Sequence, residues 1–282
     1  LKFITLSYRD STTVFILGGL DEIYLALEDN QVTLQTMMGS RFIMGVREAV
    51  EVWDKKLGLL SETLDEWIAC QRAWMYLETI FSADDIQKQL PVEAQKFKIV
   101  DKTFKTIMKT TNEDPLVIKC LDIEPSLLPT FQACNESLDQ IQKSLEAFLE
   151  TKRLAFPRFF FLSNDELLAI LALTKDPVAV QLHLPKCFEG ISALAFDENS
   201  VELRISAMAS AEGEWVPFAG CGDSGAPDAG KKIAAARNLG VCPIAKNRAG
   251  NLEGKFVEVW LTEVEAAMRV ALHEQLRRAI EH

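Results

Sequence analysis

Gly225-Ala226-Pro227-Asp228-Ala229-Gly230-Lys231-Lys232 is one hydroxyl short of a phosphate-binding loop. In the motif GxxxxGK[ST], backbone N–H groups cradle phosphates and the final Ser or Thr holds magnesium. Here that position is Lys232, and no apolar strand precedes the glycines to aim their N–H groups. A Gly/Ala-biased stretch produces such a match by chance, so the segment reads as a decoy. The histidines, His183, His273 and His282, share no spacing with Cys or Glu that suits zinc. No GxSxG nucleophile elbow occurs. Acidic pairs such as Asp84-Asp85 and Glu28-Asp29 fall at expected helix ends, where capping and solvation account for them. The six cysteines, Cys70, Cys120, Cys134, Cys187, Cys221 and Cys242, form no CxxC pair and predict buried free thiols in a reduced compartment. The sequon Asn135-Glu136-Ser137 matters only in a secreted chain and reads as chance. The expectation is a chain without catalytic residues, metal or cofactor of its own.

The 282 residues carry 41 acidic and 30 basic side chains, a net charge of −11, with 48% apolar residues. That excludes a disordered acidic tail. It also argues against nucleic-acid binding, which needs a basic field. No run of apolar residues is long enough for a membrane span, and LKFITLSYRD lacks the features of a secretory signal. The start at Leu1 predicts a fragment or a processed chain.

Periodicity supplies the elements. Phe3–Leu6 and Val14–Leu17 are β-branched and aromatic, with Arg9-Asp10-Ser11 between them, and predict an antiparallel hairpin. Asp21 then caps a short helix, and residues 31–39 are ambiguous between helix and strand. Val46, Val50, Trp53, Leu57, Leu60, Leu64, Trp67, Gln71 and Trp74 alternate steps of 4 and 3, broken only by the polar Gln71. This heptad seam predicts a helix over 40–81, about 60 Å long if unbroken, with Gly58 and Ser61 as the places for a break. Ser82 and Asp85 suggest a capping box. Pro91 starts a helix with Ala94, Phe97, Val100, Phe104 and Ile107 on one face. Asp114-Pro115 opens a short helix, and Pro125 and Pro129 punctuate the next connection. Phe131, Cys134, Leu138, Ile141, Leu145 and Phe148 mark a second long helix. Trp53, Trp67, Trp74, Phe131 and Phe148 are read as seam core.

Phe156–Leu162 is short, aromatic and bounded by Pro157, and is expected to be extended and buried. Alternation would put Phe160 on the face opposite Phe159 and Phe161, where either two layers meet or Phe160 docks a partner. Ser163 and Glu166 make a capping box for the following apolar run, and Asp176-Pro177 opens another helix. Val201–Ala207 alternates as a half-buried strand, with Trp215–Phe218 as its partner. Residues 219–250 lack periodicity and are expected to form a mobile loop, before helical spacing returns from Leu252. The fold class expected is mainly α: an elongated series of helical bundles with small β elements near residues 1–20 and 200–218.

Several of these segments together resemble one family. Glu66-Trp67 with Gln71-Arg72-Ala73-Trp74-Met75-Tyr76-Leu77-Glu78-Thr79-Ile80-Phe81 is similar to a signature of dynein heavy chains. Leu90-Pro91-Val92-Glu93-Ala94 with Phe97 continues it. Most specific are Phe156-Pro157-Arg158-Phe159-Phe160-Phe161-Leu162-Ser163-Asn164-Asp165-Glu166-Leu167-Leu168 and Thr174-Lys175-Asp176-Pro177, which look like the axonemal branch. Val180–Leu184, Lys186–Ile191, Ala211–Glu214 and Val257–Leu261 complete the likeness, which covers about residues 14–218 and 252–280.

The resemblance implies the linker, an arched rod of helical bundles over the AAA+ ring that bends and straightens in the power stroke. The implied partners are the AAA+ ring of the same heavy chain and other dynein subunits. ATP and magnesium belong to the ring, not to this segment, and the parent would be a microtubule-stimulated ATPase of the cytoplasm, cytoskeleton and ciliary axoneme. No nucleic-acid, membrane or direct microtubule contact is expected, the last because tubulin is also acidic. The segments expected are 1–39 (hairpin and short helix), 40–155 (long-helix bundle), 156–218 (aromatic segment, helices and strand), 219–250 and 251–282 (final helix). Residues 219–250 exceed the connection usual in the family, as a surface insertion or a translated intron. A lever must be soft somewhere, and proline punctuation puts candidate hinges at Pro125–Pro129 and at Ala155–Pro157, with Phe159, Phe160 and Phe161 repacking. The rival readings are a spectrin-like helical scaffold and a nucleotide-binding protein using 225–232.

Overall fold

A helix that carries an apolar stripe on every turn needs cover along its length, and the second helix sets the plan. The computed structural model describes residues 1–11, 13–123, 126–173, 176–197, 202–218, 243–247 and 256–281. The near-match to a phosphate loop at 225–232, and Pro125, lie outside them. The chain is mainly helical, with a two-stranded and a four-stranded antiparallel sheet. It divides into two compact units, Leu1–Ser82 with Leu90–Ser144, and Ala83–Gln89 with Leu145–His282.

In the first unit, β1 (Ile4–Ser7) pairs antiparallel with β2 (Phe15–Gly18). α1 (Asp21–Met38) is 18 residues long, so the ambiguous 31–39 stretch is nearly all helix. α2 runs from Arg47 to Phe81, 35 residues, after a 3-10 turn at Ile43–Gly45. It therefore starts seven residues later than its periodicity suggests, because the backbone kinks at Val46. It passes Gly58 and Ser61 unbroken. A helical glycine costs only about 1 kcal/mol, less than the apolar burial from Leu60 onward supplies. Ser82 closes α2 by donating its hydroxyl to the Thr79 carbonyl at 2.7 Å. α4 (Pro91–Glu113) returns antiparallel, with Phe104 stacked on Trp74 at 4.6 Å and Phe97 on Phe81 at 5.3 Å. A 3-10 turn at Val117–Asp122 replaces the short helix expected after Asp114-Pro115. α5 (Leu127–Ala155) begins in this unit and brings Phe131 onto Trp67 at 4.9 Å.

Each inner tryptophan is thus held between two rings, Trp67 between Phe3 and Phe131, and Trp74 between Tyr8 and Phe104. Each such pair adds about 0.5–1.5 kcal/mol beyond its burial. Gln71, midway between them, is only 8% exposed. Its amide accepts from the Leu17 N–H at 2.8 Å and donates to the Leu17 carbonyl at 2.9 Å. The break in the heptad therefore has a job: the amide stands in for a neighbouring strand and satisfies the outer edge of β2. Tyr8 and Arg9 tie the hairpin to Glu78 of α2, and Thr5 donates to Asn112. Cys70, Cys120, Cys134 and Cys187 are buried and free.

The second unit holds α3 (Asp84–Gln89), the last turns of α5, α6 (Asn164–Leu171), α7 (Leu184–Cys187) and α8 (Val257–Glu281). Ser163 and Glu166 make the expected reciprocal capping box on α6. The opening expected at Asp176-Pro177 yields a 3-10 turn at Ala179–His183 that leads into α7. β4 (Glu202–Ala209) is the central strand, with β3 (Ala193–Asp197) along one edge. β5 (Trp215–Pro217) and β6 (Ile244–Asn247) share the other. Alternation holds only at the start of β4, since Ser206 and Met208 are as buried as Ile205 and Ala207. Gly213 makes the β4–β5 turn at φ +85°, where a side chain is strained. β6 corrects the expectation of a wholly irregular 219–250. Pairing with β4 imposes the strand, and Ala245 within it is fully buried.

Replacing Gln71 with Leu restores an unbroken apolar seam but strands the Leu17 N–H and carbonyl. Gln71→Leu is expected to lower stability by about 1–3 kcal/mol in denaturant unfolding followed by tryptophan fluorescence. Equal or greater stability would reject the strand-edge role.

Candidate functional site at the aromatic turn

Phe156 to Leu162 is not extended: Pro157–Phe161 is a 3-10 turn. The Phe159 N–H donates to the Phe156 carbonyl at 3.0 Å, and the Leu162 N–H to the Phe159 carbonyl at 3.1 Å. With about three residues per turn, Phe156, Phe159 and Leu162 share one face. All three are buried, whereas Phe160 is 54% and Phe161 77% exposed. Phe161 therefore sides with Phe160, not with Phe159, because the period is three and not two. The buried rings form a cluster, Phe156 lying edge-on to Phe159 at 4.9 Å and beside Phe188 at 6.0 Å.

Two cations fix this turn to its surroundings, and a third joins the end of α5 directly to α8. Arg153, in the last turn of α5, donates to the Leu162 carbonyl at 3.0 Å. Arg158 lies over the Phe188 ring at 4.7 Å and donates to the Cys187 carbonyl at 3.1 Å. Its Nε faces Glu265 of α8 at 3.4 Å, an ion-pair contact and not a directed hydrogen bond. Burial pushes the Glu265 carboxyl up, but Arg269 and Arg158 together outweigh that and hold it below the usual range. Lys152 donates to Glu258 of α8 at 2.6 Å, and the two side chains are only 12% and 9% exposed. The Lys152 ammonium also lies over Phe148 at 5.2 Å and Phe256 at 4.6 Å. An aromatic wall lowers the local dielectric, which strengthens the pair but raises its desolvation cost. The second oxygen of Glu258 has no hydrogen-bond partner among the described residues. Nearby, Lys186 of α7 and the Ser163 N–H hold the Glu166 carboxyl down to about 2. Burial, then Lys186, lowers His183.

The remaining candidates are spread through the fold. Pro129 sits exposed in the first turn of α5, a position that suits proline, and Pro157 is the first residue of the 3-10 turn. Trp67, Trp74 and Phe131 are fully buried. Trp53 departs from the seam-core reading: it is 47% exposed, with Lys56 over its ring at 5.5 Å. Phe148 is half-buried beneath Lys152, and Leu149 takes the core position, because a strict heptad drifts against a helix of 3.6 residues per turn. The sequence reading missed Lys152, Glu258 and Glu265. The available signal was Glu258 itself, a carboxylate set between Val257, Val259 and Trp260. Among the described residues no cluster could hold a metal, and no helix is long and apolar enough to cross a membrane.

The aromatic turn is held to the end of α5 through Arg153 and to α8 through Arg158. Comparison with known proteins defines the class. Residues 1–279 match the family model described as dynein heavy chain, N-terminal region 2, and the chain belongs to that family. It is 43% identical over 295 aligned residues to human dynein axonemal heavy chain 6, covering 99% of this chain. It is 41% identical to human dynein axonemal heavy chain 3 over 100% of this chain, and 50% identical to rat dynein axonemal heavy chain 12 over 74%. The chain spans 6–7% of the length of these relatives.

Lys152→Met leaves Glu258 charged and buried, and is expected to cost about 3–5 kcal/mol, most of it recovered in Lys152→Met combined with Glu258→Leu. A double variant no more stable than the single one would show that the ion pair does not anchor α5 to α8. Glu166 supplies a pH test. Its folded value lies below the ordinary 4.5, so its contribution is complete above that value and is lost as pH falls towards 2. Carboxyl NMR is expected to place its midpoint near 2, and Lys186→Met to raise it. A midpoint near 4.5 in the unaltered chain would overturn the assignment.

Proposed function

We propose that this chain is part of the force-transmitting linker of an axonemal dynein heavy chain. In that reading it is a lever over an AAA+ ring whose ATP hydrolysis drives movement on microtubules. ATP and magnesium act in the ring; the described residues supply stiffness and a path for force. Family membership over residues 1–279 supports a motor part over a spectrin-like spacer.

The observation that carries the mechanical reading is the strapping of the α5 end to α8 through Lys152–Glu258 and Arg158–Glu265. Strain entering along α5 meets a helix end paired to α8 by the buried Lys152–Glu258 contact, and a turn that cannot rotate without losing the Arg158–Glu265 contact. It is therefore passed to α8 and not dissipated. Ala155–Pro157 is the hinge candidate that lies wholly within the described residues. A bend there has to release the Arg153 contact to the Leu162 carbonyl. Phe160 and Phe161, exposed on the outer side of the same turn, are the surface that meets the ring or another dynein subunit.

The test is made in the full-length heavy chain. Phe160→Ala with Phe161→Ala removes exposed rings and is expected to leave folding within about 0.5 kcal/mol of wild type. Basal ATPase is expected to persist while microtubule gliding slows. Gliding at the wild-type velocity would take the aromatic turn out of the force path.

A further inference from the structure

We infer that the groove between α4 and the start of α5 is a docking site for an acidic amphipathic helix of a partner protein. The groove has a volume of about 710 Å³ and lies entirely in the first unit. Its floor is Ile107 and Leu127, both buried, and Ile99 stands on its wall 63% exposed.

The polar groups of the wall narrow the ligand. Thr103, Thr106 and Thr110 donate their hydroxyls to carbonyls four residues back in α4, and Thr130 donates to the Ser126 carbonyl just before α5. What these threonines offer the groove is therefore methyl groups and weak acceptors. The remaining donors of strength are Lys98 and Lys102, which line the groove and make no ion pair among the described residues. Their neighbours are treated differently: Lys105 pairs with Asp101, and Lys96 bonds Gln140. α4 carries five lysines, Lys96, Lys98, Lys102, Lys105 and Lys109, against three acids, Glu93, Asp101 and Glu113. It is a basic stripe on a chain of net charge −11. An apolar floor with two unpaired cations one helical turn apart is complementary to apolar residues flanked by carboxylates.

The occupant's backbone follows from what the groove lacks. Along its length the groove is walled by the interior of α4, whose N–H and carbonyl groups are spent internally, so a strand has no edge there to add to, and recognition rests on side chains. From Gln95 to Thr110 the groove follows α4 for about 22 Å, enough for some four turns of a helix. The acidic field of the whole chain opposes a nucleic acid, whose charge is spread along its length, more than a helix that places a few carboxylates beside two lysines.

The test uses the full-length heavy chain purified with its bound subunits. A carbodiimide joins a lysine ammonium to a carboxylate with loss of water and no spacer, and peptide mass spectrometry reads the amide formed. Lys98 and Lys102 are expected to couple to Asp or Glu spaced three or four apart in a helix of another polypeptide. Lys98→Glu with Lys102→Glu is expected to lower recovery of that polypeptide about tenfold, as like charges face each other, whereas Lys→Arg at both sites retains it. The melting temperature serves as the control for folding, since both side chains are on the surface. Coupling of these lysines only to carboxylates of this chain, release by nuclease, or equal recovery with the charge-reversed variant would each overturn the inference.

Discussion

The first unit depends on one constraint: a helix as long as α2 cannot leave its apolar stripe in water. Isolated helices are marginal, and their stability comes from the faces they bury. From Leu60 to Phe81 the stripe is answered at every turn, by β2 and the residues flanking β1, by α4 and by the start of α5. The aromatic layers at Trp67 and Trp74 fix the register of that packing, since a ring held between two others cannot slide by a residue without losing both contacts. Where cover thins, before Leu60, Trp53 is left half in solvent.

Polar residues within apolar runs carry much of the specificity in both units. Gln71 breaks a heptad, and Glu258 breaks an otherwise apolar start to α8. Each is buried, and each is answered by one partner, the Leu17 backbone or Lys152. An apolar side chain at either place would bury as much surface but accept many neighbours. A buried amide or carboxylate accepts only the arrangement that satisfies it.

Much of this was legible in the sequence, for reasons that differ by element. The helices were legible because a period of 3.6 is a local property that survives tertiary context, as in Phe97–Phe104 on α4 or Phe131–Leu145 on α5. Their ends were less so: the Val46 kink that delays α2 has no residue signature of its own. The aromatic turn was located correctly but read with the wrong period. Seven residues that contain four phenylalanines and a proline do not distinguish alternation from a repeat of three, and only the i to i+3 hydrogen bonds decide. β6 was invisible, since Ile244–Asn247 becomes a strand only because β4 presents an edge to it. The Lys152–Glu258 pair spans 106 residues, and no local pattern announces a contact of that separation.

The glutamine at the edge of β2 also bears on how the polypeptide behaves in a crowded cell. A two-stranded ribbon normally exposes backbone groups that a strand from a foreign chain can zip onto, the first step of edge-to-edge aggregation. At Leu17 both groups are already engaged by the Gln71 amide, so an incoming strand finds no free pair there. One polar side chain within a hydrophobic seam thereby closes that point of the hairpin edge to a foreign strand.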